Sequence, residues 1–311
     1  MTLDRAALDA AAARSSRFAA SFADHPVTRM LEHAFAGDDA EQLADAAELL
    51  LARGDWLAEL LAPMVAELRA DPLFEPPFEA QRDTVRFSTV LFERPAVTLT
   101  ATIVSADALA VAPPVRSVTI AGRLSVIRFV RGGGARRQVW TADPADADFR
   151  AAGAGPCALT RDQPLADDMV VRLDGRTQGQ VIAGATSDLV TVTATIRPGA
   201  SPYVREYALA DGALLRCAML DEQPARTQML LAYLRLAGRK DSGACFAAAA
   251  GDAAFFLRWP AMREWLALDA PAALPHLHAM AEADPHHEVR TAARATLAAI
   301  TMRQGAAACH G

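Results

Sequence analysis

Three arginines spaced 32 residues apart constrain this chain more than any other feature. Arg226, Arg258 and Arg290 each open a helix-like segment with matching apolar offsets. Met229, Ala261 and Ala293 follow at +3, Tyr233, Trp265 and Leu297 at +7, and Leu236, Leu268 and Ile300 at +10. A fixed period of this size predicts stacked helical units, because one such unit cannot bury its apolar face alone. Arrays of this kind bind partners more often than they carry chemistry.

The pattern upstream changes twice. Residues 1–78 are rich in alanine, and apolar residues recur at the helical period. Asp39, with Gln42 three residues on, fits a capping box ahead of Leu43, Ala47 and Leu50. Asp55 is placed to cap a helix with a buried stripe of Trp56, Leu57, Leu60, Leu61, Met64, Val65 and Leu68, which Asp71-Pro72 stops. Glu75-Pro76-Pro77-Phe78 reads as a linker or lid.

Residues 79–220 switch to period two. Val97, Leu99, Ala101 and Ile103 alternate with Thr98, Thr100 and Thr102. Further strands are expected at 117–130, 136–141, 168–174, 178–183, 188–197 and 203–209. Short strands with regular turns and no helices between them indicate an antiparallel sandwich or barrel. Residues 221–311 return to helix.

Composition narrows the role. With 52% apolar residues in 311, the chain can fill two or three cores. A net charge of −6 argues against a nucleic-acid footprint. Lys240 is the only lysine, which suits a GC-rich bacterial genome. Cys157, Cys217, Cys245 and Cys309 form no CxxC pair, so free thiols in a reducing cytoplasm are expected. The start of the chain lacks the apolar core of a secretory signal. The longest apolar stretch, Ala96 to Val115, alternates like a strand and is broken by Asp107 and two prolines, so no transmembrane segment is expected.

Two family resemblances follow. Asp284-Pro285-His286-His287-Glu288-Val289-Arg290, with Ala292, Ala293 and Leu297, resembles the turn and second helix of a HEAT repeat. Asp252 to Arg258 with Ala261 and Trp265 is a looser copy. The resemblance implies that Asp252 and Asp284 cap helices and that Arg258 and Arg290 bond neighbouring loops. The β region resembles a cupin (RmlC-like jelly roll). Gly122 to Val130 sits where cupins carry their first motif, and Leu173-Asp174-Gly175-Arg176-Thr177-Gln178 where they carry the second. Arg128, Val130 and Gln178 stand where the family has histidines, and Gly134 or Ala135 where it has glutamate. The resemblance therefore implies the fold without its metal or any other cofactor, and a homodimer through the sheets.

Few residues suggest chemistry. If the cupin register holds, Arg128 faces the barrel interior beside Gln178, with Gln138 and Trp140 on the next strand. A buried guanidinium needs a partner, so this pocket would take a small anionic ligand; a register shifted by one would turn Arg128 outward. Arg131-Gly132-Gly133-Gly134-Ala135-Arg136-Arg137 lacks the lysine of a phosphate loop and reads as a hairpin turn with a basic rim. His276 and His278 are two apart on a helix and cannot face one metal, and His286 and His287 lie in a repeat turn. No G-x-S-x-G or HExxH is present, and acidic pairs such as Asp167-Asp168 lie before a strand and read as turn residues, with no acid/base role assigned by spacing. Trp259 is six residues from Trp265, on another helix face, where it could contact a partner.

The expected architecture is α+β: N-terminal helices over 1–78, a central antiparallel cupin-like β-barrel or jelly roll over 79–220, and C-terminal HEAT-like helical repeats over 221–311. The expected function is a non-catalytic accessory protein that binds a protein partner through its helical surface. The alternative is a small anionic-molecule binder, or metal-independent enzyme, using the barrel pocket of Arg128, Gln138, Trp140 and Gln178.

Overall fold

A computed structural model describes residues 5–146, 149–221, 223–252 and 254–308, with side chains described as far as residue 302. Cys309 and His310 lie outside the described residues. The chain divides into two compact units, 1–220 and 221–311.

Helices α1 (Arg5–Phe22), α2 (Pro26–Ala34), α3 (Ala40–Ala52) and α4 (Asp55–Ala70) open the first unit. Their starts follow from local chemistry. The Asp39 carboxylate accepts from the Gln42 amide at 2.8 Å and caps α3. Imidazole Nδ1 of His25 accepts from the Val27 amide at 3.3 Å, and Pro26 occupies the first turn of α2. Asp55 does not cap α4; it follows the cap residue, Gly54, and its charge favours the helix N-terminus. On α4, Trp56, Leu60 and Met64 are buried, while Val65 and Leu68, expected in the stripe, are exposed.

The strands are β1 (Ala80–Arg82), β2 (Arg86–Glu93), β3 (Val97–Val104), β4 (Ser117–Ile120), β5 (Leu124–Arg131), β6 (Arg136–Thr141), β7 (Ala158–Pro164), β8 (Met169–Asp174), β9 (Gln178–Ala183), β10 (Leu189–Ile196), β11 (Tyr203–Ala208) and β12 (Leu214–Met219). All their pairings are antiparallel. They form a sheet of order β1-β2-β3-β10-β5-β8 and two smaller sheets, β12-β11-β4 and β7-β6-β9. No sheet closes on itself among the described residues. β4 runs beside β9, where Gly179 leaves room for the Thr119 carbonyl, which would lie 2.5 Å from a Cβ. β5 and β6 do not pair as the expected hairpin: the glycine turn between them, where Gly133 and Gly134 adopt φ of +61° and +68°, carries the chain from the large sheet to the β7-β6-β9 sheet. The stretch after β3 is not strand: Ser105 accepts from the Ala108 amide and starts helix α5 (Ala106–Val111).

Alternation along β5 divides the core. Leu124 and Val126 face the helices and pack, with Leu99, Val192, Ala194 and Ile196, against Leu31, Leu43, Leu51 and Trp56. Ile127 and Phe129 face the other way and pack against Val139 and Ile182 of the β7-β6-β9 sheet. The large sheet is thus covered on both sides near β5. Leu31, only 1% exposed, anchors the helical layer. Leu31→Ala is expected to cost about 2–5 kcal/mol, measured by urea denaturation.

The second unit holds α6 (Gln223–Leu236), α7 (Gly243–Ala250), α8 (Phe255–Ala283) and α9 (His287–Ala308). α8 bends at Asp269, whose φ and ψ are −152° and 83°. Phe246, Leu257, Ala261, Met262, Trp265, Leu277 and Ala293 form its core. Asp252 and Asp284 accept from the Ala254 and His286 amides, each at 2.8 Å. Arg290 donates to the Asp284 and Pro285 carbonyls. Arg258 reaches the Asp284 carboxylate at 3.3 Å.

Candidate functional site

The four residues expected to line one pocket do not converge. Arg128 lies on the helix-facing side of β5, in line with Val126. Its Nη1 donates to the Leu51 carbonyl near the end of α3 at 3.0 Å, and its Nη2 to Asp168 at 2.5 Å. Gly54 makes room for it, since a Cβ there would lie 2.5 Å from the guanidinium. Arg128 is thus a tie between a sheet and a helix C-terminus, a position that favours a cation. Gly54→Ala is expected to displace it and lower the melting temperature, with circular dichroism as the readout.

Gln138 and Trp140 also face away from the inter-sheet core, because Val139 between them points into it. Gln138 bonds Asp162 at 3.3 Å, and Trp140 packs against the separate cluster of Val118, Ile120, Val181 and Tyr207. Gln178 alone of the four shares a face with Gln180 and Ile182 on β9. Its carbonyl oxygen accepts from the Asp174 amide at 3.3 Å. The register assumed from the resemblance is off by one on β5 and β6, which turns each side chain to the opposite face.

The inward face of β7-β6-β9 carries other polar groups. Arg137 pairs with Ile182 and Gln163, and Val139 with Gln180 and Arg161. Residues directly opposite in an antiparallel pair share a face. Arg137, Arg161, Gln163 and Gln180 therefore point the same way. Across the sandwich, Thr191 and Thr193 of β10 lie opposite Phe129 and Ile127 and share their face. Asp162, the carboxylate of β7, is on the far side with Arg136 and Gln138.

In the second unit, Trp259 is partly buried against the helical core and is not an exposed contact. The exposed apolar surface is on α6. Met229 is 71% exposed, Leu230 63%, Tyr233 66% and Leu236 75%. Met229, Tyr233 and Leu236 follow the i, i+4, i+7 spacing of one helix face. The opposite face of α6 packs inward through Leu231 and Leu234. In α8 and α9 the corresponding repeat positions are covered: Ala261, Trp265 and Ala293 are buried, and Leu268, Leu297 and Ile300 pack on the core. The same sequence offsets that make core in two copies make open surface in the first.

A groove of about 340 Å³ between α2, α3 and α4 is lined by Met30, Leu49, Leu50, Arg53, Trp56 and Glu59. The late histidines sit among rings: His286 stacks on Phe255 at 3.8 Å, and His276 lies 4.7 Å from Trp265. Among the described residues, no three His, Cys, Asp or Glu side chains group as metal ligands. The thiols of Cys157 and Cys217 are pushed up in pKa by burial, which leaves them poor nucleophiles at neutral pH. No described helix is long and apolar enough to cross a membrane.

No family model and no curated protein matches this chain. Solved structures do. Ectoine synthase from P. lautus is similar at 14% identity over 38% of this chain and 69% of its own, with a TM-score of 0.24. A cupin superfamily protein from Desulfitobacterium hafniense is similar at 14% identity over 40% and 84%, with a TM-score of 0.24. A cupin domain from Bordetella pertussis is similar at 13% identity over 38% and 98%, with a TM-score of 0.21. These likenesses are partial and distant, and the chemistry of those proteins does not transfer.

Proposed function

We propose that this protein is a non-catalytic accessory protein whose C-terminal helices dock a protein partner through α6. One observation carries the reading: the repeat's core offsets on α6, Met229, Tyr233 and Leu236, are left open to solvent. In a helical stack each such stripe packs on the next helix. The fitting occupant is therefore an apolar helix face of another protein, laid along α6 as α8 and α9 lie along each other. In this reading the second unit is a short HEAT-like stack with an uncapped end. The first unit is a jelly-roll-like sandwich of cupin type, braced by its N-terminal helices, in a cytoplasmic protein.

Full burial of a large apolar side chain is worth about 1.5–3 kcal/mol. Three exposed ones in a stripe can supply a hot spot. Replacing both Met229 and Leu236 with Glu is expected to weaken partner binding by roughly a hundredfold or more, since about 1.4 kcal/mol is tenfold. Both side chains are exposed, so the fold is expected to stand. Affinity for the isolated partner, compared between wild type and variant, is the readout. Equal affinities would remove the reading.

A further inference from the structure

Among the described residues three guanidinium groups are buried, and Arg137 is the least partnered of them. Arg205, 1% exposed, donates to the Asp143 carbonyl at 2.7 Å, the Arg176 carbonyl at 2.8 Å and the Tyr207 hydroxyl at 3.0 Å. Arg258, 8% exposed, faces the Asp284 carboxylate at 3.3 Å. Arg137 is 2% exposed, yet among the described residues its one side-chain hydrogen bond runs from Nε to Gln180 Oε1, at 2.6 Å. Its nearby charged neighbour is a second cation, Arg161.

Burial and the Arg161 charge pull the Arg137 pKa down to about 10, so it is still a cation at neutral pH. A buried cation held beside another cation is costly in the empty protein. Nothing in the packing relieves it. Every polar group that shares its face on β6, β7 and β9 is a guanidinium or a neutral carboxamide or hydroxyl. Moreover, neither Nη of Arg137 is among the fully sealed, unbonded atoms, a set that does include Trp140 Nε1 and Arg205 Nε. The Nη groups of Arg137 are therefore without a protein partner among the described residues yet not fully sealed from solvent, and its Nε is held by Gln180.

We infer that the face formed by Arg137, Arg161, Gln163 and Gln180 is a binding site for a small organic carboxylate. The planar carboxylate would lie edge-on to the two free Nη groups, the geometry in which Arg makes paired hydrogen bonds. Gln180 holds the guanidinium in that orientation. Arg161 is exposed on β7 and meets the anion at the rim. Ile127, Phe129, Val139 and Ile182 pack beneath this face as closed core, so the carboxylate end of the ligand is what the site reads. A phosphate dianion fits less well, since a single buried fork is available to it. The site belongs to the first unit and is independent of the α6 reading.

Titration of the full chain with sodium benzoate, followed by calorimetry and by thermal shift, tests the site. Benzamide serves as the neutral isostere and inorganic phosphate as the competing anion. Wild type is expected to bind benzoate saturably and to ignore benzamide. Arg137→Met is expected to weaken benzoate binding by about tenfold or more, the scale of a lost charge-assisted pair. Arg161→Gln changes an exposed residue and so tests the site without disturbing the core; a loss of roughly threefold is expected. The proposal is overturned if wild type fails to bind benzoate, if benzamide binds equally, if phosphate binds more tightly, or if both variants bind as wild type does.

Discussion

Asp284→Ala is expected to lower the stability of the protein by about 3–5 kcal/mol, the usual cost of stranding one partner of a buried ion pair. The carboxylate does two jobs. It accepts from the His286 amide at 2.8 Å, starting the turn into α9, and it faces Arg258 at 3.3 Å. Side-chain exposures of 5% for Asp284 and 10% for Arg258 mean that solvent cannot replace the lost charge. The double change Arg258→Met with Asp284→Asn separates these jobs. Asn keeps an acceptor for the His286 amide, and Met removes the charge that would be stranded. Urea denaturation followed by Trp fluorescence is expected to show the double variant far closer to wild type than Asp284→Ala. Equal losses in the two would show that neither the stranded charge nor the lost acceptor accounts for the effect.

Arg137→Met is expected to act in the opposite direction, raising stability by about 1–4 kcal/mol in the absence of ligand, as replacement of buried charge by apolar groups often does. Met has a flexible stem that fills much of the space of the arginine side chain. The pH dependence has a definite sign. Burial first, and the Arg161 charge second, depress the folded-state pKa of Arg137 from its ordinary value to about 10. The folded form therefore holds fewer protons than the unfolded form between those values, and wild-type stability rises with pH across that window. Below the lower value the penalty is present in full. The advantage of Arg137→Met is thus complete at neutral pH and shrinks above pH 10. Thermal melts of the two proteins at neutral pH check the central part of this. A variant less stable than wild type would show that Arg137 is structural, like Arg205.

Much of the fold was legible in the alternation of Val and Thr, since β3, β6, β8, β9, β10 and β11 fall where period two runs cleanly. The facing of β5 was not legible. Its even positions, Leu124 and Val126, and its odd positions, Ile127 and Phe129, are all apolar, because a helical layer covers one side and a second sheet the other. Binary patterning assigns an inside only when the other face is wet. For that reason Arg128 read as interior and Arg137 only as part of a basic rim. The signal that could have found Arg137 was its position two residues before Val139, on a strand whose polar neighbours already marked the outer face. α7 was hidden by its own composition, Gly243 to Ala250, with few large residues to show a period. β7 was hidden because its side chains are mostly exposed and polar. The repeat offsets were legible on α6, but coverage depends on what lies alongside a helix, and no pattern within the helix encodes that.

Site-specific photo-crosslinking in living cells tests the central claim most directly. A photoreactive residue at Leu236, 75% exposed on α6, is compared with one at Val111, 84% exposed on α5 of the other unit. The account predicts one discrete adduct from position 236 with a different protein, absent from position 111 and lost when Met229 is replaced with Glu. The same adducts from both positions, or an adduct at 236 only with a second copy of this chain, would contradict it.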